Sequence, residues 1–184
     1  MEGKIIITSD STCDLSPALL EENHISLARL SVILGDTTYR DGEGIEPQTI
    51  FDFVEKTGDL PKTAAPSLED YLHFFRSFTD KGNTVIHFNI SSKASGSHGF
   101  AVAAQKEIGE DKVYVVDSYA LSTGQGLLVM KACDLVKEGK SAKEIYDAVM
   151  SLRDKVNTSF IPDTLLYLFK GGRCSRLSFF RGES

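Results

Sequence analysis

Four short runs concentrate side chains able to hold or transfer a charged group: Ser9-Asp10-Ser11-Thr12, Thr63 to Ser67, Ser91-Ser92-Lys93-Ala94-Ser95-Gly96-Ser97, and Asp117-Ser118. Each falls where an apolar run ends or a helix pattern begins. Hydroxyls beside the free N–H groups of a helix start can bind an anion, because those donors lack partners and the helix dipole is positive there. Taken singly, each run is better explained by N-capping, which favours the same residue types.

Sharper chemistry finds less support. No G-x-S-x-G elbow occurs, and adjacent Ser97-His98 does not make a triad, since neighbouring side chains on a helix diverge. His24, His73 and His87 are dispersed, with no i, i+4 pairing for a metal, so no metal site is expected; His87, within a strand pattern, reads as a buried, hydrogen-bonded residue. Gly124-Gln125-Gly126 imitates the start of a dinucleotide fingerprint, but Val129 stands where the third glycine belongs, so no nucleotide cofactor is expected. An aspartate in Thr8-Ser9-Asp10 to Asp14 has the position of a phosphate-transfer carboxylate and equally that of a loop-ordering one. Lys170-Gly171-Gly172-Arg173 admits two readings, a glycine helix stop with favourable terminal charge or an arginine held for a carboxylate or phosphate.

The elements that must position these groups alternate. Ile5-Ile6-Ile7 reads as a covered strand, followed by a helix over about 17–23 with Ser16 as N-cap and Pro17 at its first position. A second strand is expected over 25–34, an exposed loop over 35–46 and a helix from Pro47 to about Thr57. Ser67, with Asp70 three residues on, caps a helix carrying Tyr71, Phe74, Phe75 and Phe78 at helical spacing. Strands are expected at 84–90 and 113–116, a helix centred on 100–108, and a long helix from about Leu121 to Glu138 that Gly139 ends. Ser141 and Glu144 form a second capping box for a helix to about Lys155. Phe160-Ile161-Pro162 suggests a short fifth strand, and 164–170 a last helical piece. Such alternation predicts an α/β fold, a mostly parallel sheet with helices on both faces, binding ligands at the carboxyl ends of its strands. No internal repeat, low-complexity tract or early linker interrupts it before about Asn157.

Composition excludes several function classes. A net charge of −6 argues against nucleic acid, whose binding needs clustered cations. Apolar runs fall far short of a membrane span, so no stable membrane insertion is expected. Cys13, Cys133 and Cys174 are odd in number and widely spaced, which suggests neither a disulfide framework nor zinc and fits reduced thiols in a cytoplasmic protein. The run from Lys4 to Ile7 is too short for a signal-peptide core.

In order, Ser9-Asp10-Ser11-Thr12-Cys13-Asp14-Leu15, Pro61-Lys62-Thr63-Ala64-Ala65-Pro66-Ser67, Ile90 to Ser97, Val116-Asp117-Ser118 and Leu168-Phe169-Lys170-Gly171-Gly172-Arg173-Cys174-Ser175 resemble the DegV family over nearly the whole chain. The resemblance implies a protein that binds one long-chain fatty acid and serves as the binding subunit of fatty acid kinase. It implies no catalytic residues of its own, the kinase activity residing in a separate subunit. Carried over by motif, Thr63 and Ser95 would hydrogen-bond the carboxylate, with Ser92 and Arg173 nearby, and apolar residues would solvate the acyl chain. The chain departs from the family pattern at Ala64, Ala94 and Cys174, where a hydroxyl residue, a leucine and an isoleucine are usual. The resemblance further implies a first domain over 1–160 and the start of a second over 161–184, the latter cut short, with Leu177-Ser178-Phe179-Phe180 left as an apolar surface that favours association. The alternatives are a hydrolase or phosphotransferase using the same hydroxyls on a small acid, and an inert truncated remnant.

Overall fold

The computed structural model describes residues 3–173. The apolar tail over 177–180 and Cys174 lie outside the described residues.

Two sheets organise the chain. The larger has four parallel strands in the order β2-β1-β6-β7: β1 (Ile5–Asp10), β2 (Ser26–Ala28), β6 (Thr84–Asn89) and β7 (Val113–Asp117). Helix α1 (Pro17–Glu22) joins β1 to β2, capped by Ser16, whose hydroxyl accepts from Leu19 N. Helix α4 (Ser97–Ile108) joins β6 to β7, and the chain continues through α5 (Ser122–Lys137), α6 (Ala142–Leu152) and the short α7 (Leu166–Lys170). Both expected capping boxes form, Ser141 with Glu144 on α6 and Ser67 with Asp70 on α3 (Leu68–Thr79).

The sheet is buried on both faces, as its continuous apolar strands require. Successive β6 side chains point to opposite sides. Ile86 and Phe88 pack with Ile7 and Val116 against Leu128, Val129 and Ala132 of α5 and Ile145 and Val149 of α6. Val85 packs with Val113 and Val115 against Tyr71 and Phe75 of α3 and Ala101 and Ala104 of α4. His87 lies on this second side, its ring edge-on to those of Tyr71, Phe74 and Phe75.

Three expectations are corrected, two of them by the smaller sheet. The strand expected over 25–34 is two: β2 ends at Ala28, and β3 (Ser31–Leu34) belongs to an antiparallel sheet with β4 (Thr37–Arg40) and β5 (Lys62–Ala64). The break is physical. Leu30 N donates to Ser11 Oγ at 3.2 Å, and Arg29 Nη1 donates to the Asp41 carbonyl at 2.6 Å, so both residues are tied to loops rather than to a ladder. The stretch 35–46 contains β4, because Gly35 adopts φ 59° in a two-residue turn that sends Thr37-Thr38-Tyr39 back along β3. Helix α2 (Pro47–Thr57) covers this sheet, packing Ile50 and Phe53 against Val32, Leu34 and Ile45. The third correction is Phe160-Ile161-Pro162, which forms no strand. Ile161 is 97% exposed, and Pro162 has no N–H to donate.

Candidate functional site

The carboxyl ends of β1, β6 and β7 converge on a buried polar cluster, and Asp10 is its hub. Fully buried at the end of β1, its carboxylate accepts from Thr12 Oγ1 at 2.6 Å, Gln125 Nε2 at 2.8 Å, Ile90 N at 2.9 Å, Asn89 Nδ2 at 3.2 Å and Thr12 N at 3.3 Å. A buried carboxylate persists only when its lone pairs are so occupied. Asp10 therefore orders loops: it ties β1 to the first residue after β6, which leads into the Ser91–Ser97 run. Of the two roles open to this aspartate, the hydrogen bonds match the ordering one.

Beneath it, Thr8 Oγ1 and His87 Nδ1 lie 2.8 Å apart, and burial pushes the His87 imidazole down to about 3, so it is neutral. Asn89 Nδ2 also donates to the Tyr71 hydroxyl at 2.9 Å, and that hydroxyl shares a 2.6 Å hydrogen bond with Ser97 Oγ. Burial raises the Tyr71 phenol above its ordinary range, keeping it protonated. Ser97 is thus engaged by tyrosine, and it forms no dyad with His98.

The Ser91–Ser97 loop is shaped by its own hydroxyls. Ala94 N and Ser95 N donate to the Ser91 carbonyl, Lys93 N to Ser91 Oγ at 3.3 Å, and Ser97 N to Ser95 Oγ at 3.2 Å. Asp117, at the end of β7, accepts from Ser92 N at 3.1 Å and Tyr119 N at 3.2 Å. The Arg153 guanidinium lies 3.8 Å from the centre of the Tyr119 ring and donates to the Asp117 carbonyl, clamping the β7 loop from the far side. Two of the four hydroxyl runs, Ser9–Thr12 and Asp117-Ser118, are therefore scaffold.

The other two meet. Thr63 at the middle of β5, Ser92 and Ser95 of the β6 loop, and Arg173 line one open cavity of about 490 Å³, with Leu30, Ala65, Lys93, Ala94, Gly96 and Phe100 completing its wall. All four residues singled out for an anion border the same space, although Thr63 and Arg173 stand 110 positions apart (173 − 63). Gly96, the N-cap of α4, brings no side chain to that helix start; Ser95 Oγ accepts from Ser97 N and the Gly96 carbonyl from Gly99 N, so what lies beside the hydroxyls is the positive end of the helix dipole rather than a set of free N–H groups. Thr63 and Arg173 also border a second cavity of about 860 Å³, whose wall includes Ile33, Phe53, Leu60 and Pro61. Together the two spaces offer a polar, cation-flanked end and a partly apolar continuation, on the scale of small-molecule sites. Among the described residues no group of three or more His, Cys, Asp or Glu is placed to hold a metal, and no helix is long and apolar enough to cross a membrane.

Three site residues escaped the motif reading: Tyr71, Asn89 and Gln125. Tyr71 lies in an aromatic stripe that signals core. Gln125 is fully buried, with Gly126 on α5 so close to the loop after β1 that an added Cβ would sit 2.8 Å from the Cys13 carbonyl oxygen. The Gly124-Gln125-Gly126 pattern thus serves helix packing and delivery of the glutamine amide to Asp10. A polar residue flanked by glycines on a buried helix was the available signal.

The family model described as "Uncharacterised protein, DegV family" matches residues 4–183. A DegV domain-containing protein of Clostridium perfringens is 30% identical over 173 residues, 94% of this chain and 62% of that protein. One from Staphylococcus aureus is 32% identical over 173 residues, 94% of this chain and 61% of its own length. This chain therefore spans roughly three fifths of those relatives. Among solved structures, a fatty-acid-binding DegV family protein from Thermus thermophilus superposes with a TM-score of 0.86 at 33% identity, over 97% of this chain and 64% of that one. A stearic acid-binding protein from Eubacterium ventriosum gives 0.79 at 33% identity, over 97% and 63%. The fatty acid kinase B3 protein of Streptococcus pneumoniae, loaded with linoleic acid, gives 0.78 at 27% identity, over 95% and 63%.

Proposed function

The chain belongs to the DegV family, and from that membership and the geometry of its hydroxyl-lined cavity we propose that it binds a long-chain fatty acid. Thr63 and Ser95 donate to the carboxylate, with Ser92 and Arg173 beside them. The carrying observation is the convergence of these four residues on one cavity, beside the N-terminus of α4. A carboxylate there meets hydroxyl donors, a helix dipole and a guanidinium, and needs no desolvated lysine. The acyl chain extends along Ile33, Phe53 and Leu60 of the adjoining, partly apolar cavity, whose rim also carries Asp59, Lys62 and Lys170. At about 0.8 kcal/mol per buried CH₂, chain burial supplies most of the affinity, and the polar end selects an acid over other lipids.

This reading assigns no catalytic residue. Phosphorylation of the carboxylate falls to a separate kinase, to which the open rim at Ser92 and Lys93 presents the acid; the linoleate-loaded fatty acid kinase B3 protein supports this role by likeness. Residues from 161 onward open a second domain.

The test compares a fatty acid with its alcohol. Thr63→Val combined with Ser95→Ala should weaken palmitate binding by roughly 100- to 10,000-fold, since each of the two hydrogen bonds to a charged group contributes about 1.5–3 kcal/mol, and should change hexadecanol binding less than about threefold. Equal losses for both ligands would place the carboxylate elsewhere. Native mass spectrometry of the protein purified from cells should find one fatty acid per chain.

A further inference from the structure

We propose that Tyr71 is a positioning residue that sets the distance between the two hydroxyl arms of the site. The inference rests on the carboxylate reading of the Thr63 and Ser95 cavity. Those two residues come from unconnected elements, β5 and the loop after β6, and Tyr71 joins them. Its backbone lies in the first turn of α3, which follows β5 through the buried Pro66 and is locked at its start by the Ser67 and Asp70 capping box. Its hydroxyl reaches across the core to Ser97 Oγ at 2.6 Å and accepts from Asn89 Nδ2 at 2.9 Å. Ser97 N in turn donates to Ser95 Oγ at 3.2 Å, which leaves the Ser95 hydroxyl proton free to point into the cavity.

The position of the hydroxyl argues for this role. Tyr71 is wholly buried and its ring packs against those of Phe75 and His87, contacts a phenylalanine would supply equally. A phenol in such a place is costly unless its polar tip has partners. Those partners are the last residue of β6 and the first residue of α4, the two ends of the serine loop.

Palmitate and hexadecanol dissociation constants, measured on the full chain for wild type, Tyr71→Phe, Ser95→Ala and the double variant, test this. In Tyr71→Phe the preference for acid over alcohol should fall about tenfold, the scale of one displaced hydrogen bond to a charged group. In the Ser95→Ala background the same substitution should change that preference less than twofold, because Tyr71 acts through Ser95. A purely structural tyrosine would weaken both ligands together and leave their ratio unmoved. Should Tyr71→Phe fail to fold, Ser97→Ala cuts the same link from the other side and should lower the ratio equally. An unchanged ratio in either variant, or a full tenfold effect persisting without Ser95, overturns the positioning role alone. A wild-type chain that binds palmitate no better than hexadecanol overturns the carboxylate reading, and this inference with it.

Discussion

Asp10→Asn removes one oxygen from a carboxylate that uses both. Oδ1 accepts from Thr12 N, Thr12 Oγ1 and Gln125 Nε2, while Oδ2 accepts from Asn89 Nδ2 and Ile90 N. An amide nitrogen at either position turns donor toward donor. The smaller loss keeps oxygen at the three-donor side and strands Asn89 Nδ2 and Ile90 N. Each stranded buried donor costs about 1–3 kcal/mol; Asn89 retains the Tyr71 hydroxyl as an acceptor, so the total should be near 3 kcal/mol. With a urea m-value of about 2 kcal/mol/M, the unfolding midpoint should drop by about 1.5 M. Equilibrium denaturation followed by far-ultraviolet circular dichroism reads this directly. Palmitate binding should weaken in parallel, since Ile90 N holds the start of the serine loop. A midpoint shift below about 0.3 M would refute the hub role of Asp10.

Two further outcomes follow from local geometry. Gly→Ala should have opposite signs at two helical positions: Gly126→Ala places a Cβ 2.8 Å from the Cys13 carbonyl oxygen and should destabilise by about 1–2 kcal/mol net of the helix-propensity gain, while Gly99→Ala meets nothing within 4 Å and should stabilise by roughly 0.5–1 kcal/mol, both read as urea midpoints. His87, held to about 3 by burial, stays neutral when folded but takes a proton near 6.5 when unfolded. A depressed folded value favours the neutral form, so its contribution is full above pH 6.5 and is lost as pH falls toward 3, amounting to about 2 kcal/mol by pH 5. An imidazole resonance of His87 that titrates above pH 5 in the native protein would contradict this.

What was legible in the sequence divides by the range of the interaction that specifies it. Ser67 with Asp70 and Ser141 with Glu144 act within one helical turn, and both capping boxes form as their spacing implied. The parallel sheet was legible because strands buried on two faces leave continuous apolar runs. The antiparallel sheet was not: β3 continues the apolar character of β2, and the parting between them depends on Ser11 and Asp41, which no periodicity connects to Leu30 and Arg29. Thr63, Ser92, Ser95 and Arg173 could be singled out by residue type together with family resemblance, whereas their sharing of one cavity is a property of the fold.

The polar hub shows why such a limit is physical. Apolar burial is non-directional, so a strand needs only the right face to join a core, and alternation along the chain records that face. A hydrogen bond requires a particular partner at a particular distance, and here the partners of Asp10 lie 79 and 115 positions away. Nothing in the neighbourhood of Asn89 marks it as acceptor-seeking rather than merely tolerated, and the glycines that flank Gln125 signal close packing without naming its partner. The same directionality makes the hub informative for function. Hydrogen bonds of Asp10 and Asp117 tie the three strand ends to the loops they carry, which restricts the arrangements open to the Ser91–Ser97 loop. A site organised before binding spends little of its interaction energy on ordering itself, so the proposed contacts of Thr63, Ser95 and Arg173 with a carboxylate would act at little ordering cost.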